Sequence, residues 1–224
     1  MRQETVNIYK FNELSEQAKE VARDWYRGCS TSDDFDFCIE DAVRMGEMIG
    51  IEFDTHAVKL HGGGTRYDAN IYWSGFCSQG DGASFEGTYR YKKGALKALQ
   101  AECPAQWTDK DGTIHESKGN KELHDIARVL QREQARYFYQ IVTRVSQSGR
   151  YSHENTMSFE HERADEKELE EGADTECIEE MMRDFARWIY TQLEQENDYR
   201  NSDEYIDETI EANEYEFLEN GERA

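Results

Sequence analysis

Residues 70–91, NIYWSGFCSQGDGASFEGTYRY, place the tightest limit on what this chain can fold into. Two aromatic runs keep a period of two, at Ile71, Trp73 and Gly75 and again at Phe85, Gly87 and Tyr89, around a polar Gly-rich centre. That period sends alternate side chains to opposite faces, which predicts paired strands with one buried and one wet face. Asp81-Gly82 is a dipeptide that supplies positive φ in tight turns, so an antiparallel hairpin is predicted to close there.

The flanking residues follow a helical period instead. Residues 2–9 read as an extended lead-in, after which Phe11, Leu14, Ala18, Val21, Ala22 and Trp25 predict a helix. Asn12 or Ser15 can cap it, and Gly28 fits its end. Phe35, Cys38, Ala42, Met45 and Ile49 predict a second helix, capped by Ser32 or Asp33 and stopped at Gly50. Residues 51–60 read as one strand, with HGGGTR as the loop beyond.

Beyond the central stretch, Ala95, Leu96, Ala98 and Leu99 predict a short helix, and residues 103–118 form a polar excursion with an Asp111-Gly112 turn. A helix from about Asn120 turns Leu123, Ile126, Ala127, Leu130 and Gln134 inward and Arg128, Arg132 and Arg136 outward. Residues 137–146 and 151–162 predict a second hairpin, whose MSFE at 157–160 echoes ASFE at 83–86, as two hairpins in one sheet would. A charged run over 163–174 precedes a long helix from Asp174 or Thr175, striped by Ile178, Met181, Met182, Phe185, Trp188, Ile189 and Leu193. A last helix from Ser202 carries Tyr205, Ile206, Ile210 and Asn213, and Phe217 with Leu218 ties down the end. The expected fold is α+β, with antiparallel hairpins forming a sheet packed by helices. Residues 1–162 are its core and 163–224 an acidic helical segment packed on that core, in one domain overall.

The net charge of −22 is unevenly spread: residues 163–224 hold 22 acids against 6 bases. Such a field repels nucleic acid and anionic membranes and speeds approach to basic proteins. Nine carboxylates and no base lie between Asp203 and Glu222. Continuous helix over that stretch would span about 30 Å and carry a charge every ~3.3 Å, close to the ~3.4 Å spacing of phosphates along one DNA strand. The partner-binding residues expected are therefore Asp203, Glu204, Asp207, Glu208, Glu211, Glu214 and Glu216. The same composition also serves solubility alone.

Catalytic signatures are missing from the sequence. Five cysteines, Cys29, Cys38, Cys77, Cys103 and Cys177, are odd in number and contain no CxxC pair, which argues against a disulfide framework or zinc ribbon and suits a reducing cytoplasm. No HExxH, P-loop or GxSxG occurs, and no apolar run has the length of a signal core or membrane span. Ser78, Gln79, Asp81 and Glu86 form a candidate motif loop that reads best as a hairpin turn. On a strand, His153 and Glu154 point to opposite faces and do not converge. No cofactor and no metal is expected, and a metal-dependent hydrolase using Asp81, Glu86, His153 and Glu154 stands as the reading from a different class.

The run YWSGFCSQGDGASFEG at 72–87, with FNELSEQAKEVARDWYR at 11–27 and YSHENTMSFE at 151–160, resembles a family of uncharacterised bacteriophage and prophage proteins. Its members are often labelled antitoxins of toxin–antitoxin stability systems. The resemblance implies an accessory protein acting in a bacterial cytoplasm. Joined to the charge, it yields the expectation of an inhibitor that grips the basic nucleic-acid groove of a defence complex, of anti-CRISPR or anti-restriction type. A binder that neutralises one basic toxin is the alternative.

Overall fold

The computed structural model describes residues 6–29, 35–165, 167, 169 and 175–224. In chain order its elements are β1 (Tyr9–Lys10), α1 (Glu16–Cys29), α2 (Asp36–Ile49), β2 (Ile51–Phe53), β3 (Thr55–Lys59), β4 (Thr65–Ala69), β5 (Ile71–Ser74), β6 (Gly82–Phe85) and β7 (Gly87–Arg90). They continue with α3 (Ala95–Glu102), β8 (Gln106–Thr108), β9 (Ile114–Glu116), α4 (Lys118–Arg136), β10 (Ile141–Gln147), β11 (Met157–Arg163), α5 (Glu176–Arg200), α6 (Asp203–Ala212) and β12 (Glu216–Phe217). The class is α+β. Two units emerge, one of Met1–Phe35 with Glu194–Ala224 and the other of Asp36–Leu193.

In the first unit a short 3-10 turn at Phe11–Glu13 precedes α1, so the helix starts later than its apolar spacing suggests. The Ser15 hydroxyl accepts from the Ala18 amide at 3.3 Å, settling which of the two candidate caps is used. Ala18 and Ala22 present a small-residue face to Ile206 and Ile210 of α6, and Phe11, Leu14 and Phe217 complete this core. Ser202 caps α6 by accepting from the Tyr205 amide. The chain end is tied down as expected, because β12 pairs antiparallel with β1 and Phe217 is fully buried.

The second unit is built on an antiparallel sheet of order β11-β10-β7-β2. The inward stripe predicted for α4 is buried throughout, and Gln134 fixes it to the sheet: its side-chain amide donates to the Ile141 carbonyl at 2.7 Å, while its oxygen accepts from the Ile141 amide at 3.3 Å. Of the stripe on α5, Ile178, Met182, Phe185, Trp188, Ile189 and Leu193 are buried, and Phe85 packs edge-on against Phe185 at 5.8 Å between centroids. Gly46 of α2 makes room for the Phe53 ring, since a Cβ there would stand 2.6 Å from it.

Several strand expectations are corrected. Residues 51–60 are two strands rather than one. At Asp54 the chain leaves one sheet for another, its amide donating to the Glu86 carbonyl and its carbonyl accepting from Asn70. HGGG of the expected loop lies in the turn of a hairpin, β3–β4, with Thr65 and Arg66 already in β4, and the polar excursion holds another hairpin, β8–β9. The central hairpin exists as β5–β6, with Ile71 opposite Phe85. It has no tight Asp-Gly turn, because Gly82 already opens β6 and neither Asp81 nor Gly82 takes positive φ. Every residue of β6 is buried, so the one-wet-face reading fails there too. The second hairpin forms as β10–β11, but its strands start later than expected, with a 3-10 turn at Glu154–Thr156 inside the stretch expected as the second strand, and it shares its sheet with β7 and not with β5–β6. The candidate caps Ser32 and Asp33, the start of the long helix at Asp174 and most of the charged run lie outside the described residues. Among the described residues no helix is long and apolar enough to cross a membrane.

Candidate functional site: the acidic face of the last helix

The helix that carries the predicted partner residues is shorter than the charge argument requires. It stops at Ala212; Glu214 has a left-handed φ of 52°, and Glu216 lies in β12. Helical continuation would force the unpaired acids into further repulsion, whereas the turn lets Phe217 reach the core. The 30 Å rod of regularly spaced charge does not form.

The acids of α6 divide into two sets. Asp203 and Asp207 lie beside the apolar edge and close onto α1, where Arg23 donates from Nε and Nη2 to the two oxygens of Asp207 at 2.7 and 2.6 Å. Arg27 pairs with Asp203, and Glu20 and Asp24 complete the network. The hydrogen bonds it donates to Asp207 hold the Arg23 guanidinium above its ordinary range, although burial works against this. Glu204, Glu208 and Glu211, at i, i+4 and i+7, are exposed and make no ion pair among the described residues. Glu216 sits 3.5 Å from Lys10, whose ammonium also donates to the Glu214 carbonyl at 3.3 Å. Of the seven residues expected to bind a partner, three therefore make one solvent face and three are drawn into ion pairs.

The motif loop is internally satisfied. One oxygen of Asp81 accepts from the Ser78 amide at 2.6 Å and the Cys77 amide at 2.8 Å, and those two donors hold its carboxyl below the usual range. Ser78 and Gln79 are exposed at the loop. Glu86 accepts from Asn70 at 2.8 Å, from the Tyr72 hydroxyl at 3.0 Å and from the Gln147 amide at 3.4 Å, tying three strands together. These contacts spend its lone pairs on the fold. Among the described residues no group of three or more His, Cys, Asp or Glu could hold a metal.

His153 and Glu154 do converge, contrary to the strand argument. His153 caps a 3-10 turn that Glu154 opens, Glu154–Thr156, and His153 Nδ1 stands 3.0 Å from Glu154 Oε2 while also accepting from the Asn155 amide. Glu154 also takes Arg187 at 3.4 Å. Sequence reasoning missed a hydroxyl–imidazole–carboxylate row: Thr143 Oγ1 to His161 Nδ1 at 3.0 Å, and His161 Nε2 to Glu179 at 3.2 Å. Thr143 has 0% exposure, so no substrate reaches that hydroxyl and the row serves packing.

A family model described as a domain of unknown function, DUF8835, matches residues 35–203, about three-quarters of the chain. The chain belongs to this family. The DUF8835 match takes in the whole second unit, including the motif loop, and ends at the first residue of α6. No curated protein and no solved structure matches the chain.

Proposed function

We propose that the protein is a non-catalytic binding protein that offers a carboxylate face to a basic surface on a partner. The observation that carries this reading is the stripe of Glu204, Glu208 and Glu211, which stays exposed without an ion pair among the described residues. A net charge of −22 supports it, because such a field draws in positively charged partners and repels polyanions. The resemblance to phage and prophage proteins supports a bacterial nucleic-acid-handling defence complex as the partner. Along α6 the three charges rise by about 6 and 4.5 Å, more coarsely than the ~3.4 Å spacing on a DNA strand. The contact is therefore one of charge complementarity rather than a replica of a phosphate backbone.

The test compares the full chain with a Glu204→Lys, Glu208→Lys, Glu211→Lys variant as baits in lysate of a bacterial host. The expected result is a basic nucleic-acid-handling complex retained by the first, released as salt is raised, and lost by the second. Equal retention by both baits removes this face from the function. A single small basic polypeptide in the eluate assigns the antitoxin role instead.

A further inference from the structure

A groove of ≈ 750 Å³ lies in the second unit between α2 and the β3–β4 hairpin, alongside β2, the edge strand of its sheet. Its volume is in the range of ligand clefts. On α2, Ile39, Glu40, Val43 and Glu47 recur at helical spacing and turn one mixed face into it. Half-buried Ile39, Val43, Phe53 and Ile71 give it an apolar floor.

The rim is acidic, and its charges are unequally compensated. Arg66, the one arginine or lysine among the described residues that line the groove, is already shared between Asp36 at 3.0 Å and Asp68 at 2.7 Å. Glu40, Glu47 and Glu52 are exposed with no ion pair among the described residues. On the hairpin wall Tyr67 is 69% exposed, an aromatic ring of the type that anchors protein contacts. An apolar floor under three uncompensated carboxylates excludes an anionic occupant.

We propose that this groove docks a basic amphipathic segment of a partner protein, with its apolar side chains on the floor and its Lys or Arg side chains against Glu40, Glu47 and Glu52. A helix with anchors at i, i+3 or i+4 and i+7 matches such a trough. The groove's lining belongs to the second unit and lies wholly within the DUF8835 match, whereas α6 belongs to the first unit.

The test uses the full chain and a fluorescent peptide of about 18 residues, with Leu at helical spacing and Lys and Arg between, against a scrambled peptide of the same composition. The ordered peptide is expected to bind about tenfold more tightly than the scramble or better. Glu40→Lys with Glu47→Lys and Glu52→Lys is expected to weaken it by about tenfold, because like charges then face the peptide. Tyr67→Ser, at an exposed position, should weaken it without lowering the melting temperature. The α6 triple variant should leave affinity within about twofold, since none of its three residues lines the groove. Equal binding of the scramble overturns the proposal, as does loss on the α6 triple while the groove triple still binds.

Discussion

Arg23 and Asp207 meet side by side, Nε to Oδ1 at 2.7 Å and Nη2 to Oδ2 at 2.6 Å, across a sequence separation of 184 residues. Arg23 is 9% exposed and its guanidinium also lies over the Phe11 ring. The last helix is thus clamped to the first by a two-bond, charge-assisted contact beside the core of the first unit, and such bonds are the stronger kind. Arg23→Met keeps the apolar stem and leaves three carboxylates facing an apolar tip. It is expected to cost about 1–3 kcal/mol in urea unfolding. Glu208→Lys, at the residue next to Asp207 and on the solvent face, should stay within about 0.5 kcal/mol. An equal effect from both would refute the division of α6 into a structural and an exposed set of acids. Asp207 is accordingly a poor position for a functional charge reversal.

Gly50 makes a second sharp prediction. It separates the end of α2 from the start of β2 with a φ of 102°, and its carbonyl accepts from the Arg90 amide at 2.8 Å. A Cβ at this position would lie 2.0 Å from the Arg90 carbonyl oxygen. Gly50→Ala therefore combines backbone strain with a clash against main chain, for a loss of roughly 2–5 kcal/mol. Gly28, in α1, has nothing within 4 Å of its would-be Cβ, so Gly28→Ala should stabilise by about 0.5–1 kcal/mol through helix propensity. Thermal melts followed by circular dichroism should show shifts of opposite sign.

How much of this was legible in the sequence depends on the range of the interaction. Helical stripes such as Leu123, Ile126, Ala127 and Leu130 are written in local spacing, and all four are buried. The stop at Gly50 is local as well. The β3–β4 hairpin escaped because TRYDA, at 65–69, carries no apolar alternation for a period-two reading to find. Asp81 misled for a related reason: Asp-Gly advertises a turn, but here the carboxylate closes the loop through two amides while Gly82 extends into β6. The fate of the tail acids was the least legible. Which of them remain exposed is decided by arginines in α1, more than 170 residues away in the chain. The groove assembles from α2, β2, β3, β4 and the start of β5, and of these β4 is the element the sequence did not suggest.

Glu133 offers a test by pH. It is 4% exposed in α4 and accepts from Arg136 at 2.6 Å and from Arg132 at 3.0 Å. Burial alone would raise its carboxyl, yet the hydrogen bonds and charges of those two arginines outweigh burial and hold it below the usual range. With the folded value depressed, the unfolded chain binds more protons in the window beneath the unfolded value of about 4.3. The stabilisation is therefore complete above that value and is lost as pH falls through the folded one. Glu133→Gln should lower stability near neutrality by about 1–3 kcal/mol. The gap between the two urea midpoints should close as the medium is acidified below about pH 4. Asp81, Asp109 and Glu180 are also held low, but they titrate alike in both proteins and cancel in the difference. A gap that stays constant from neutral to acid would mean that the loss reflects packing at the Gln side chain and not the charge on Glu133.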